Sequence, residues 1–165
     1  MRAADAGGRL GGAMAETQVL LVASSGGHLL ELLELADEYP PSTRQWVTFD
    51  KPDARVLLAG ERVTFAYGPT NRHLGNLIRN ALLAFQVVLR TRPRAVITTG
   101  AGVAVPFLYA ARLLRHRAIY VESLARIDQL SLSGRLVYPV ATHFFVQWPE
   151  LAKRYRRGRY VGAIL

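Results

Sequence analysis

Residues 18–36 read QVLLVASSGGHLLELLELA and place a strand, a glycine turn and a helix in immediate succession. The run at 18–23 is almost wholly apolar, which is typical of a strand buried on both faces of a parallel sheet. Leu29, Leu32 and Ala36 then recur at helical spacing. A strand that passes through a glycine turn into a helix presents backbone N–H groups and the positive end of the helix dipole to an anion.

The same arrangement occurs a second time. The apolar segment 95–98 leads through the turn TTGAG at 98–102 into a helix over about 103–114. Strand-like and helix-like segments alternate about six times along residues 17–162. This alternation predicts an α/β fold, a Rossmann-like doubly wound parallel sheet, whose ligands bind beyond the carboxyl ends of the strands. Both glycine turns are expected at that edge.

Composition narrows the classes of function. The 165 residues include no cysteine, which excludes disulfides, thiolate metal sites and a cysteine nucleophile. Four histidines lack metal-ligand spacing, so no metal site is expected. A net charge of +9, from 21 Lys and Arg against 12 Asp and Glu, favours anionic partners. We expect no nucleic acid among them, because the sequence has no recognition motif and no basic face with interleaved aromatic residues.

The ends of the chain differ from its middle. Residues 1–16 are rich in glycine and alanine without an apolar core, and we expect a disordered leader there. Residues 17–162 are predicted to form the domain, followed by a short tail at 163–165. No apolar run reaches the length that crosses a bilayer.

The longest predicted helix covers residues 73–90. Its main apolar stripe consists of Leu74, Leu77, Ile78, Ala81, Leu82, Phe85, Val88 and Leu89. We interpret this stripe as core, or alternatively as the face of a helix lying in a bilayer interface, since arginines fringe it. On the second interpretation the membrane contacts would be Arg72, Leu74, Arg79, Leu83, Val87 and Arg90.

Two titratable residues follow predicted strands. His28, in the first turn of a helix, could act as general base or hydrogen-bond partner, or could simply pack or cap the helix. Glu122 ends the fifth strand, where a carboxylate would face the ligand crevice, cap a helix or pair with Arg126. A dinucleotide fingerprint and a P-loop are both missing from the glycine turns.

Three further stretches resemble the oligosaccharide-biosynthesis subunit family. They are VESLAR at 121–126, LSLSGRLVYP at 130–139 and FVQWPEL at 145–151, and the two glycine turns match as well. The resemblance extends over about 18–162. The family includes the membrane-recruiting subunit of a two-part UDP-N-acetylglucosamine transferase acting on dolichol diphosphate, and subunits of bacterial exopolysaccharide glycosyltransferases. Its eukaryotic members carry a membrane-spanning segment that the polar leader does not resemble.

The resemblance implies the N-terminal, acceptor-binding half of a GT-B glycosyltransferase, peripheral at the cytoplasmic face of the plasma membrane. A second subunit would hold the UDP-sugar, no cofactor would bind this chain, and the acceptor would be a polyprenyl-diphosphate-linked saccharide. His28 and Glu122 would be catalytic. The diphosphate would contact Ser25, Gly26, Gly27, Thr99, Gly100, Gly102 and Arg126.

Two other functions remain open at this point. The chain could be a non-catalytic scaffold that recruits the enzyme to an anionic membrane. It could also be a stand-alone nucleotide-sugar enzyme such as an epimerase, which would bind UDP or NAD by itself. The missing dinucleotide motif argues against that third function.

Overall fold

The computed structural model describes residues 17–70 and 74–164, which form a parallel α/β domain. Its seven strands in this range pair in the order β3-β2-β1-β4-β5-β6-β7, and every pairing is parallel. The strands are β1 (Val19–Val22), β2 (Arg44–Phe49), β3 (Val63–Ala66), β4 (Ala95–Thr98), β5 (Arg117–Val121), β6 (His143–Val146) and β7 (Gly158–Tyr160). The predicted doubly wound sheet is confirmed.

Six α-helices connect these strands within the described ranges. They are α1 (Gly27–Ala36), α2 (Pro52–Leu57), α3 (Leu74–Thr91), α4 (Ala104–Leu113), α5 (Leu132–Val137) and α6 (Pro149–Arg154), and a 3-10 turn covers Pro41–Thr43. The strand order reverses direction between β1 and β4, which pair with each other. Val22 and Thr98, the last residues of β1 and β4, lie opposite each other in that pairing. The two glycine turns that follow these strands therefore lie side by side. A crevice at this switch point is the usual ligand position in such sheets.

The core has one layer on each face of the sheet. On one face, Leu21 and Trp46 pack with Leu32 of α1 and other side chains of α1 and α2. On the other face, Tyr120 and Phe144 pack with residues of α3, α4, α5 and α6. Alternate residues of the central strands serve opposite layers, which explains why the strands read as continuous apolar runs.

Helix α3 lies on the sheet with a different face inward from the one predicted. Leu74, Ile78 and Leu82, from the predicted core stripe, are 70, 55 and 69 % exposed. The buried side is formed by Asn80, Ala84, Val87 and Val88. The prediction of a core stripe is therefore wrong for most of its large residues.

Asn80 explains the rotation of this helix. Its side-chain amide donates to the carbonyl of Tyr67 and accepts from the Tyr67 N–H, at 2.8 and 2.9 Å. These two bonds satisfy the backbone that leaves β3 and fix which side of α3 faces inward. As a consequence, the expectation that Val87 contacts a membrane is wrong, since its side chain is 7 % exposed. Leu83 also packs partly against the core.

The remaining residues expected at a membrane differ in their place in the structure. Leu74, Arg79 and Arg90 are exposed on α3, and Arg79 lies over the Tyr67 ring at 5.8 Å. Arg72 lies outside the described residues, as do the leader and Leu165. Within 17–70 and 74–164, every helix is too short or too polar to cross a bilayer.

Candidate functional site

An open cleft of about 900 Å³ lies at the carboxyl edge of the sheet. The turns after β1, β2, β3 and β4 meet there with the segment that precedes and begins α5. Its polar wall includes His28, Lys51, Gly102, Arg126, Ser131 and Ser133. The cleft therefore forms where the glycine turns predicted a ligand site.

His28 stands in the first turn of α1 and reaches the wall of the cleft. The Thr99 hydroxyl donates to the His28 carbonyl at 2.6 Å, which joins the two glycine turns. Nδ1 is buried, and no described residue forms a hydrogen bond with it. The ring nitrogen left to meet a bound molecule is therefore Nε2.

The N–H groups of two turn glycines are already engaged. The Gly26 N–H donates to Asp53 Oδ2 at 2.9 Å, and the Gly100 N–H donates to Thr98 Oγ1 at 3.0 Å. This corrects the expectation that both amides are free to bind a diphosphate. Both glycines have positive φ angles, 83° and 124°, so their geometry shapes the turns instead.

The other predicted phosphate contacts divide into two groups. Gly102 and Arg126 line the cleft. Thr99 is fully buried and uses its hydroxyl on His28. Ser25 and Gly27 belong to the first turn but not to the wall of the cleft. N–H groups in the first turn of a helix have no acceptor within the helix, which leaves that of Gly27 as a donor at the rim.

Glu122 supports the cleft from behind. It is 0 % exposed, and its carboxylate accepts hydrogen bonds from the N–H groups of Ser123 and Ser131 at 3.1 and 3.0 Å. The hydroxyls of Tyr120 and Ser131 also donate to it, each at 3.2 Å. Glu122 is absent from the wall of the cleft, so the structure brings it to the loop that carries Ser131 and not to the reacting space.

A buried hydroxyl group links this carboxylate to the cleft. The Tyr120 hydroxyl lies 3.0 Å from Ser131 Oγ and 3.4 Å from Ser133 Oγ. Burial, followed by the nearby Glu122 charge, raises the pKa of Tyr120 well above its ordinary value. Tyr120 therefore stays protonated and donates to Glu122, and its oxygen remains as an acceptor beside the two serine hydroxyls.

Lys51 is a cleft residue that the sequence reasoning missed. It follows β2, next to β1 in the sheet, and precedes α2. The neighbouring Asp50 pairs with Arg55 at 2.5 Å, and this bond lowers the pKa of Asp50. Neither Lys51 nor Arg126 pairs with a carboxylate in the described part of the chain. The cleft thus offers two cations without an acidic partner among the described residues. The position of Lys51 just after β2 was the sequence feature that could have predicted it as a cleft residue.

Sequence comparison identifies the family of this chain. The family model described as "Oligosaccharide biosynthesis protein Alg14 like" matches residues 71–164. A UDP-N-acetylglucosamine transferase subunit ALG14 from Eremothecium gossypii is 37 % identical over 191 residues, covering 96 % of this chain and 85 % of that protein. The human protein of the same name is 27 % identical, covering 89 % of this chain and 82 % of its own length.

Solved structures share the fold at low identity. MurG from Acinetobacter baumannii superposes with a TM-score of 0.66 and 19 % identity over 81 % of this chain and 42 % of its own. A UDP-N-acetylglucosamine 2-epimerase from Rickettsia bellii gives 0.68 and 12 %, over 90 and 45 %. This chain spans less than half of each, and its fold is that of an N-terminal, Rossmann-like half of a GT-B enzyme. On the sequence matches, the chain belongs to the Alg14-like family of oligosaccharide biosynthesis proteins.

Proposed function

We propose that this chain is the acceptor-binding subunit of a two-subunit glycosyltransferase. The donor is a UDP-sugar held by the second subunit, and the acceptor is a saccharide linked to a polyprenyl diphosphate. The observation that carries the proposal is the basic cleft, which places His28, Lys51 and Arg126 at one rim of the sheet. Membership of a family whose relatives are named as transferase subunits gives the cleft its reaction class.

The two cations are suited to the diphosphate of the acceptor. Lys51 and Arg126 have no carboxylate partner in the described ranges, so both charges are available to phosphate oxygens. Arginine matches two such oxygens with parallel N–H donors, and lysine adds a compact charge. The hydroxyl of Ser133, 3.4 Å from the Tyr120 oxygen, supplies a further neutral donor, whereas the Ser131 hydroxyl donates to Glu122.

His28 is proposed as the general base. Its Nε2 takes the proton of the acceptor hydroxyl while that oxygen forms a bond to the anomeric carbon of the donor. The bond from that carbon to the UDP oxygen breaks, and UDP leaves with the electron pair. Attack from the side opposite to the leaving group inverts the anomeric configuration. General base catalysis of this kind contributes roughly 10²–10⁴-fold to the rate.

The second subunit is proposed to bind an apolar groove on the α1 side of the sheet. This groove has a volume of about 250 Å³ and lies between Leu35 and Tyr39 of the α1 region and the strand residues Ile97, Val121 and Phe145. Val161 lines it and is 77 % exposed. Since this chain spans less than half of the solved structures that share its fold, an apolar segment of the second subunit is the expected occupant.

Membrane docking is proposed for the outer side of α3. Leu74, Ile78 and Leu82 are at least half exposed, and Arg79 and Arg90 lie beside them. An apolar stripe with a basic fringe suits an interfacial helix on an anionic bilayer. On α5, Leu132 and Leu136 are exposed and also line the cleft, which offers the polyprenyl chain a route from the diphosphate to the lipid. The expected location is the cytoplasmic face of the plasma membrane.

One observation favours a second function, a scaffold that recruits the enzyme without taking part in chemistry. His28 Nδ1 lacks a hydrogen-bond partner among the described residues, whereas a general base usually has an orienting group. A transfer assay decides between the two functions. It combines this chain with the second subunit, membranes that contain the lipid-linked acceptor, and UDP-sugars.

The variant His28→Ala is expected to lower kcat by at least about a hundredfold. The matched control is His116→Ala, which changes a histidine between α4 and β5 at the other edge of the sheet. Unchanged transfer with His28→Ala would leave the scaffold function and remove the catalytic one. Co-purification of the second subunit with both variants shows whether the complex is intact.

A further inference from the structure

A second pocket, with a basic wall, lies at the amino ends of the strands. Its volume is about 580 Å³, and it is bounded by the beginnings of β2 and β3 and by the C-terminal half of α3. The wall includes Gln45, Arg62, Thr64, Gln86, Arg90 and Arg92. Because α3 begins at Leu74 and the pocket takes in its residues from Leu83 onward, the pocket lies roughly 15–25 Å along the helix from the end next to the cleft.

Two of the three arginines in the wall have no acidic partner. Among the described residues, the wall itself contains no Asp or Glu. Arg90 and Arg92 form no ion pair with any carboxylate of the described residues. Arg62 is held by the carbonyls of Ser42 and Arg44, each at 2.9 Å.

The nearest carboxylate in sequence, Glu61, is engaged elsewhere. It accepts from the Arg44 guanidinium and from Trp46 Nε1. Glu61 also interacts with the charge of Arg62. Arg90 and Arg92 therefore bring two guanidinium groups without an acidic partner among the described residues to this space, beside Arg62. Guanidinium groups bind phosphate oxygens in this way, with parallel N–H donors.

The position of the pocket indicates which anion it meets. Its wall includes Arg90 of α3, and the outward residues Leu82 and Leu89 of the same helix are 69 and 55 % exposed. A bilayer that contacts these leucines brings its phosphate layer to the level of the fringing arginines. We infer that this pocket binds the phosphate of an anionic phospholipid headgroup. The inference rests on the proposed docking of α3 at a membrane.

Arg92 allows an unusually clean test. It follows α3 with a φ of 44°, and Arg115 follows α4 with a φ of 64°. Both are left-handed positions that glycine favours. Arg92→Gly and Arg115→Gly therefore each remove one positive charge and relax one helix end, but only Arg92 belongs to the wall of the pocket.

The first measurement is sedimentation of the full chain with vesicles of phosphatidylcholine, alone or mixed with phosphatidylglycerol. A cation that acts only through the surface potential contributes about fivefold to binding. We expect that loss for Arg115→Gly on the mixed vesicles, and a loss about tenfold greater for Arg92→Gly, which also removes charge-assisted hydrogen bonds. Equal losses for the two variants would overturn the pocket and leave general electrostatic attraction.

The second measurement separates the pocket from membrane docking. Short-chain phosphatidylglycerol, kept below its micelle concentration, is titrated into each variant in the absence of vesicles. The wild type and Leu82→Gln should bind it equally, while Arg92→Gly should bind it about tenfold more weakly. If Leu82→Gln keeps full binding to vesicles, docking through α3 fails although the pocket stands. Inorganic phosphate is titrated in the same way as the last comparison. If it binds as tightly as the lipid, the pocket is a site for soluble anions and the lipid proposal fails.

Discussion

His28 and Gly100 lie against each other across the two glycine turns, and the imidazole leaves little room for a side chain at position 100. A Cβ atom on residue 100 would lie 3.0 Å from His28 Cε1 and 3.2 Å from the Tyr120 hydroxyl. The φ of Gly100 is 124°, which side-chain-bearing residues rarely adopt. The missing side chain at position 100 thus lets the imidazole lie between the turns, with Nδ1 inside and Nε2 available to the cleft.

Gly100→Ala should therefore reduce both stability and transfer. The backbone strain alone costs about 1–3 kcal/mol, and the contact with the imidazole displaces the base from the cleft. Gly60→Ala is the matched control, because Gly60 has a φ of 85° and open space around its Cα. Urea denaturation should show a loss for both variants, whereas kcat of the assembled transferase should fall only for Gly100→Ala. Equal kcat values would show that the imidazole does not need this position.

Lys51→Gln should weaken acceptor binding without changing the fold. Removing a charge-assisted hydrogen bond to a diphosphate costs about 1.5–3 kcal/mol, which raises the KM for the acceptor by at least about tenfold. Lys153→Gln removes the same charge from the exposed C-terminal half of α6 and serves as control. The measurement is the initial rate with varied lipid-linked acceptor at a fixed UDP-sugar concentration. An increase in KM for the UDP-sugar instead would place Lys51 at the donor.

Glu122→Gln distinguishes support from catalysis at this buried carboxylate. Ser123 N–H donates to one oxygen of Glu122, and Ser131 N–H donates to the other. In either orientation, the amide NH₂ of glutamine would face a backbone donor. We expect a loss of about 1–3 kcal/mol in the free energy of unfolding, compared with little change for the exposed Glu34→Gln. A normal unfolding curve with a large fall in kcat would restore the predicted catalytic role.

Gly134 provides an independent check of the same support. A Cβ at this position would lie 2.2 Å from Glu122 Oε2, a distance at which something must move. Gly134 also donates its N–H to Ser131 Oγ, the N-cap of α5. Gly134→Ala should therefore destabilise the chain by about 1–3 kcal/mol in urea denaturation. Unchanged stability would mean that the Glu122 carboxylate can leave its present donors at little cost.

The fold could be predicted because its signal is local and repeated. Each strand and its following turn lie within a few residues, as in 18–28 and 95–102, and parallel order follows from the alternation with helices. The rotation of α3 could not be predicted, because it depends on the contact between Asn80 and Tyr67. An apolar stripe says that one side of a helix avoids water, but it does not say whether protein or lipid covers it.

The candidate site was predicted only in part for a similar reason. Its place at the carboxyl edge and the position of His28 in its wall follow from the order of strand, turn and helix. The partner of the Gly26 N–H is Asp53, 27 residues further along, and no local pattern joins the two. Lys51 is likewise brought to the cleft by the pairing of β2 with β1.

Acid should weaken the fold through the Arg44–Glu61 pair. A hydrogen bond from Arg44, with a second from Trp46 Nε1, lowers the pKa of Glu61. The folded state therefore binds the Glu61 proton less readily than the unfolded chain does. The pair contributes its full stability above the unfolded pKa of about 4.3, and this contribution is lost as the pH falls through the lower folded value.

Urea denaturation of wild type and Glu61→Gln between neutral pH and about pH 3 tests this dependence, the range being set by the ordinary pKa of glutamate. The variant should be less stable near neutrality, and its stability should fall less steeply in acid. Asp50→Asn is the control, because the Asp50–Arg55 pair is 45 and 66 % exposed and such pairs contribute little. If Glu61→Gln loses stability as steeply as the wild type, other carboxylates determine the acid sensitivity. Arg44 would then act mainly through its bonds to the carbonyls of Ala36, the last residue of α1, and of Tyr39.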